Sequence, residues 1–285
     1  MLIPPRRRAL VLIAVLTLLG ISYLTLDLPS VPGKLTYPVN TPAVPLDDSQ
    51  ILLVSAFFPL AKSKHTQQEY VQWMELYLTK ITTHIYFFTS PEMEDSIRKL
   101  RGSLPMTLNT SFADPFDIPP LGGLKDRYYA MNEVDPERAY HSPELYAVWS
   151  SKTYFLREAL LNMQAAGMDV EYVFWNDAGS FRDQQDFDNW PARERIDEIF
   201  TTGARMSGMS KDELFFIPIW GVPQDPLRTW TPLEGPKEYE SSISEGLSRV
   251  TVEFRFVWLT EFTLLGSFFG GRPSIVHWWY KTYWA

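Results

Sequence analysis

Glu171-Tyr172-Val173-Phe174-Trp175-Asn176-Asp177-Ala178-Gly179-Ser180-Phe181-Arg182 is the stretch on which the fold turns. Tyr172 to Trp175 are all apolar or aromatic, as in a strand covered on both faces. The run then meets a carboxylate, a small residue and a glycine. Asp177 stands where the strand must stop, and in open α/β sheets ligands bind just beyond the carboxyl ends of strands. A carboxylate there can hold a cation that bridges phosphates. Ala178 and Gly179 leave room for a bulky ligand and permit a tight turn. A second reading stands beside this one: a strand followed by a polar turn, with Asp177 capping the next segment.

Working outward, the chain alternates strands and helices. Gln50 to Phe58 reads as a buried strand ended by Pro59. Thr66 to Lys80 places Tyr70, Trp73, Met74, Tyr77 and Leu78 at helical spacing, with Thr66 and Glu69 in capping-box positions. His84 to Thr89 is a second strand, and Ser90-Pro91 opens a helix to about Leu100. Pro105 to Asn109 is a short strand, and Phe112 to His141 reads as irregular. Ser142-Pro143-Glu144 starts a helix running to about Ala166 and ended by Gly167. Asp169 to Asn176 is the next strand, Trp190 to Phe200 a helix, and Glu213 to Trp220 a strand. The alternation predicts a mainly parallel sheet flanked by helices.

The N-terminus suggests where such a domain works. Arg6, Arg7 and Arg8 precede an uncharged run from Ala9 to Leu26. That run matches the ~20 residues that cross a bilayer, and basic flanks stay cytoplasmic. The expected layout is a cytoplasmic tail (1–8), a transmembrane signal-anchor (9–26), a proline-rich stem (27–48) and a lumenal domain (49–285). A cleaved signal peptide is the alternative, with Gly20 and Ser22 as a weak small-x-small site. Pro29, Pro32, Pro38, Pro42 and Pro45 make the stem a semi-extended spacer. The layout predicts a single-pass type II membrane protein of the Golgi or endoplasmic reticulum. Asn109-Thr110-Ser111 is a glycosylation sequon, which suits a lumenal side.

The chain of 285 residues has no cysteine, so disulfides, thiolate metal sites and cysteine nucleophiles are excluded. Its net charge of −8 and the lack of a basic stripe beyond the N-terminal arginines argue against nucleic acid as a partner. No Gly-x-Gly-x-x-Gly, Walker or Gly-x-Ser-x-Gly sequence is present.

Four segments occur in order: Val54-Ser55-Ala56-Phe57-Phe58, Tyr70-Val71-Gln72-Trp73, Tyr146-Ala147-Val148-Trp149-Ser150-Ser151-Lys152 and Trp175-Asn176-Asp177-Ala178-Gly179. With Gly266-Ser267-Phe268-Phe269-Gly270-Gly271 and Ile275-Val276-His277-Trp278-Trp279, they resemble the HtrL/YibB-like proteins, which look like GT-A glycosyltransferases. The resemblance covers about residues 50 to 285. It implies a GT-A-like (Rossmann-like) α/β fold that transfers a sugar from a nucleotide-sugar donor to a glycan or glycoprotein acceptor. It implies that Phe57 and Phe58 line the nucleotide, and that Asp177, with Asn176 beside it, stands in for the acidic motif that binds a divalent cation, Mn²⁺ or Mg²⁺, and the diphosphate. Leaving-group charge needs such a cation, or a cationic side chain.

The pattern departs from Asp-x-Asp, because Gly179 takes the second acidic position. Asp183 and Asp186 follow nearby. Arg182 is a candidate to neutralise phosphate directly, against a reading as a solvated loop arginine. Lys152 is a candidate to reach the diphosphate, against a reading as a surface lysine. Gly270 and Gly271 are read as a turn whose backbone approaches a sugar. Trp278 and Trp279 offer faces for stacking, with core packing the favoured reading, and a structural role is favoured for His277. The sequence from Trp278 to Ala285 stops inside an expected helix, where family members continue into another acidic, glycine-containing segment. Thr251 to Leu265 is unusually apolar. A truncated domain is therefore expected, and a non-catalytic membrane-tethered binding protein is the alternative function.

Overall fold

The computed structural model describes residues 50–186, 189–217, 219–220, 263–264 and 267–285. The expected tail, anchor and stem lie outside the described residues, as does most of the apolar run from Thr251 to Leu265. Among the described residues no helix is long and apolar enough to cross a membrane.

Apolar runs bounded by breakers become strands. Strand β1 (Ile51–Phe57) leads to helix α1 (Gln67–Leu78), β2 (His84–Thr89), α2 (Glu94–Arg101), β3 (Met106–Asn109) and α3 (Lys125–Glu133). Helices α4 (Pro143–Ser150) and α5 (Lys152–Ala165) precede β4 (Tyr172–Asn176) and α6 (Arg193–Ser207). Then come β5 (Phe215–Phe216), β6 (Ile219–Trp220), β7 (Thr263–Leu264), β8 (Phe268–Gly271) and α7 (Pro273–Tyr283).

Among the described residues six strands form one sheet, in the order β3-β2-β1-β4-β8-β5, and β6 and β7 form a separate pair. The strands from β3 to β4 run parallel, whereas β8 is antiparallel to both of its neighbours. The sheet is thus mixed at one side. Alternation along β1 divides the core. Leu52, Val54 and Ala56 face residues of α5 and α7, including Phe155, Leu156, Val276 and Trp279. Ile51 and Leu53 face α1, α2 and α6 through Met74, Leu78, Ile97 and Phe200. Both faces are covered, which is why these strands are apolar without alternation. Each such side chain contributes roughly 1.5–3 kcal/mol on burial.

Local signals in the sequence explain several boundaries. Thr66 and Glu69 form the expected capping box on α1, and Ser142 caps α4. Gly167, at φ 81°, ends α5 in the left-handed conformation that glycine adopts at low cost. Buried Arg101 fixes the far end of the sheet by donating to the carbonyls of Leu78, Ile81, Thr83 and Pro105. Burial lowers its pKa to about 10.

Five expectations are corrected. The segment from Phe112 to His141 contains α3 and two short 3-10 turns, Pro115–Asp117 and Pro119–Leu121. The helix expected over 142–166 is interrupted at Ser151. The strand expected from Glu213 to Trp220 divides into β5 and β6, in different sheets. Asn109 of the sequon is 5 % exposed and donates to the Tyr86 hydroxyl, so it is part of the core and not an accessible glycan acceptor.

The fifth correction concerns Gly270 and Gly271, which belong to a strand and not a turn. A Cβ on Gly270 would lie 2.1 Å from the Val173 carbonyl oxygen, and one on Gly271 would lie 2.7 Å from Cγ2 of Ile275. Close strand and helix approach accounts for both glycines.

Candidate functional site

The chain builds β1, moves outward to β2 and β3, and then returns to place β4 on the other side of β1. The direction of winding reverses between β1 and β4, and such a switch point opens a crevice at the carboxyl ends of the two strands. Phe57 and Asp177 mark those ends.

The crevice floor is tied together by one hydroxyl. The main-chain register between the strands ends at Val54 and Trp175. One residue further, Ser55 Oγ donates to the Asn176 carbonyl at 2.6 Å and lies 3.0 Å from the Tyr77 hydroxyl. Burial, the leading cause, raises the Tyr77 pKa to about 12, so the phenol stays neutral. The Asn176 side chain faces inward. Its Nδ2 donates to the Asp177 carbonyl at 3.1 Å, and its Oδ1 accepts from Ser180 Oγ at 3.2 Å. Asn176 therefore shapes the turn that carries Asp177.

Asp177 is held from three directions. Its N–H donates to the Ser267 carbonyl at 2.8 Å. Its Oδ1 accepts from Trp175 Nε1 at 2.6 Å and from Lys152 Nζ at 2.9 Å. The Lys152 side chain is 6 % exposed and that of Asp177 39 %. The ammonium also lies 5.2 Å from the centre of a Trp175 ring. Lys152 is thus a buried member of the site and not a surface lysine.

The position of Lys152 follows from its own motif. Trp149 and Tyr146, three and six residues earlier, pack against His141. The Tyr146 hydroxyl donates to buried Asp135, which is 2.9 Å from His141 Nδ1. Burial, reinforced by Asp135, raises the Tyr146 pKa. Helix α4, anchored in this way, leads through Ser151 into α5, whose first residue is Lys152.

An aromatic wall forms the other side of the crevice. Tyr70 lies 5.8 Å from Phe57, and Trp73 is met edge-on by His65 at 4.7 Å. Exposed Arg182 places its guanidinium 4.6 Å from the Trp73 ring. Gly179 abuts both rings, with a Cβ position 3.3 Å from Trp73 and 3.5 Å from Tyr70. The space expected beside Gly179 is therefore occupied by protein.

The structure brings Asp177 and Lys152 together, and links Phe57, Gly179 and Arg182 through the aromatic wall. It does not bring Phe58 to the crevice: that ring is 4 % exposed and stacks on Phe155. Gly270 and Gly271 are in the sheet. Trp279 is in the core, and Trp278 packs against it, as favoured from sequence. Burial, with Arg157 and Lys281 nearby, lowers the His277 pKa. Ser55, His65, Tyr70 and Trp73 were not singled out as site residues from sequence. The usable signal was a pair of aromatics three residues apart at the start of a helix following a strand.

The donor set fits a divalent cation poorly. Asp177 Oδ1 is engaged by an ammonium and an indole N–H. Among the described residues no three His, Cys, Asp or Glu side chains gather as metal ligands.

No protein-family model matches the chain, and no curated protein matches it. Among solved structures, the apo form of mouse xyloside xylosyltransferase 1 is similar at 9 % identity and a TM-score of 0.38, covering 82 % of this chain and 71 % of that one. A likeness of that degree fixes neither a family nor an activity.

Proposed function

We propose that the crevice between β1 and β4 binds a nucleotide-sugar and that the domain is a GT-A-like, HtrL/YibB-like glycosyltransferase. The observation that carries this reading is the ion pair of buried Lys152 with half-exposed Asp177 at the switch point of the sheet. A fixed ammonium suits an anionic ligand, and the switch point is where α/β sheets bind nucleotides. The Phe57, Tyr70 and Trp73 wall offers flat apolar faces, with Arg182 as a second cation. The ordered motifs shared with HtrL/YibB-like proteins support the reaction class.

In the proposed reaction an acceptor hydroxyl of a glycan or glycoprotein attacks the anomeric carbon. The bond from that carbon to the diphosphate oxygen breaks, and the hydroxyl proton passes to water. The nucleoside diphosphate leaves with one more negative charge, which Lys152 and Arg182 stabilise. The sequence layout completes the proposal: an anchor at 9–26 and a stem at 27–48 hold the domain on the lumenal side of a Golgi or endoplasmic reticulum membrane.

The test is a thermal-shift screen of the full-length chain against nucleoside diphosphates and nucleotide-sugars, followed by assay of sugar transfer. A ligand at a hundredfold excess over its dissociation constant stabilises the native state by about 2.7 kcal/mol. A shift with one base identifies the donor. No shift from a cooperatively folding protein rejects the site. A membrane-tethered binding protein is the second reading, favoured by Asp177 itself, whose Oδ1 is occupied by Lys152 and Trp175. Ligand binding without transfer or donor hydrolysis would establish it.

A further inference from the structure

We infer that ligand binding in this crevice is independent of divalent metal: Lys152 is the resident cation, and Asp177 is the positioning residue that holds it. The inference rests on the nucleotide reading of the site and concerns how the diphosphate charge is met.

A carboxylate that binds Mg²⁺ or Mn²⁺ must offer the ion uncompensated oxygen lone pairs, with further oxygen ligands completing the shell. Asp177 is arranged otherwise. Its Oδ1 receives two donors, Trp175 Nε1 at 2.6 Å and Lys152 Nζ at 2.9 Å. A metal ion on the remaining oxygen would face the Lys152 ammonium across a single carboxylate. The second acidic position of an Asp-x-Asp pair is Gly179, and the space beside it is filled by Trp73 and Tyr70. A side chain bearing a second carboxylate there would have to push the Trp73 ring aside.

Lys152 is also placed against two ordinary preferences. It occupies the first turn of α5, where the helix dipole disfavours a cation, and it is 6 % exposed, where burial disfavours one. The Trp175 ring and Asp177 hold it there. A lysine held at such a position, with its partner 39 % exposed at the end of β4, supplies the positive charge that a metal supplies elsewhere.

The experiment measures the affinity of the full-length chain for UDP, GDP, ADP and CDP by calorimetry, once in EDTA and once in Mn²⁺. The expected result is one nucleotide bound equally in both to within about twofold, with Lys152→Met weakening it at least ~10-fold and Lys152→Arg retaining most of it. Paramagnetic resonance of Mn²⁺ supplies a readout without nucleotide: the native chain leaves the ion free, and Lys152→Met, with its carboxylate uncovered, binds it more tightly. Nucleotide binding that appears only with Mn²⁺ overturns the inference and leaves the nucleotide site standing. Binding of no nucleotide in either condition rejects the site and the inference together. If Lys152→Met does not fold, the comparison of EDTA and Mn²⁺ on the native chain decides the question alone.

Discussion

A Cβ atom added to Gly179 would stand 3.3 Å from Cε3 of Trp73. That contact joins the turn after β4 to the face of α1, and Trp73 in turn carries the Arg182 guanidinium. Alanine asks Trp73 to yield by a few tenths of an ångström, whereas a branched side chain asks for more. Gly179→Val is expected to destabilise the protein by about 1–3 kcal/mol, the range for overpacking. Urea unfolding checks this, and Trp73→Ala in the same chain should recover most of the loss. Equal stability of Gly179→Val and the native chain would show that the ring is not fixed there.

Arg182 is exposed, so Arg182→Ala should leave stability within about 0.5 kcal/mol. Its effect should fall on ligand affinity, reduced several-fold with unchanged preference among bases. Calorimetry of the nucleotide found in the screen tests this. Undiminished affinity removes Arg182 from the site.

Gly270→Ala should be among the most damaging single substitutions. The new Cβ would lie 2.1 Å from the Val173 carbonyl oxygen, in the main-chain ladder itself. Separation of β8 from β4 is expected, with a loss above about 3 kcal/mol or failure to fold. Denaturation and circular dichroism report it. A native-like Gly270→Ala protein would mean that β8 does not pair with β4 in this register.

His84 makes stability depend on pH. Burial, with the Arg101 charge beside it, lowers its pKa from 6.5 to about 4. The folded state holds the ring neutral, while the unfolded chain takes up a proton near pH 6.5. The contribution is therefore complete above about pH 6.5 and is lost as pH falls toward about 4. The urea midpoint should drop between about pH 7 and about pH 4.5, and drop less in His84→Gln. Equal slopes would place the acid sensitivity elsewhere.

Three of the four parallel strands were legible because each is a mainly apolar run ended by a breaker or a polar residue: Phe57-Phe58 before Pro59, Phe88-Thr89 before Ser90-Pro91, and Trp175 before Asn176-Asp177. Asp177 was legible for the same reason, as a carboxylate at a strand end. Lys152 was a candidate from the resemblance, but its burial was not legible, because a lysine in a helix carries no mark of burial; only the fold places it against Trp175 and Asp177. Phe57 and Phe58 looked equivalent, yet alternation along a strand sends one to the aromatic wall and the other into the core. Gly270-Gly271 was misread because paired glycines are a turn signal, while the Val173 and Leu214 carbonyls whose close approach requires them lie far away in sequence. Helix α3 was obscured by the prolines and glycines before it. The anchor and stem lie outside the described residues.

Strand β8 also sets an order of events during synthesis. Val173 pairs with Gly271, so the outer edge of β4 is closed by residues made long after it. Until then Tyr172, Val173, Phe174 and Trp175 form an apolar strand with an unmatched row of amides and carbonyls, the feature by which chains add to one another. Released chains ending before Phe268 should sediment as aggregates, and released chains that include Gly271 should stay dispersed. The interval between translation of Trp175 and of Gly271 is thus when a nascent copy is most exposed to mispairing with its neighbour on the same message.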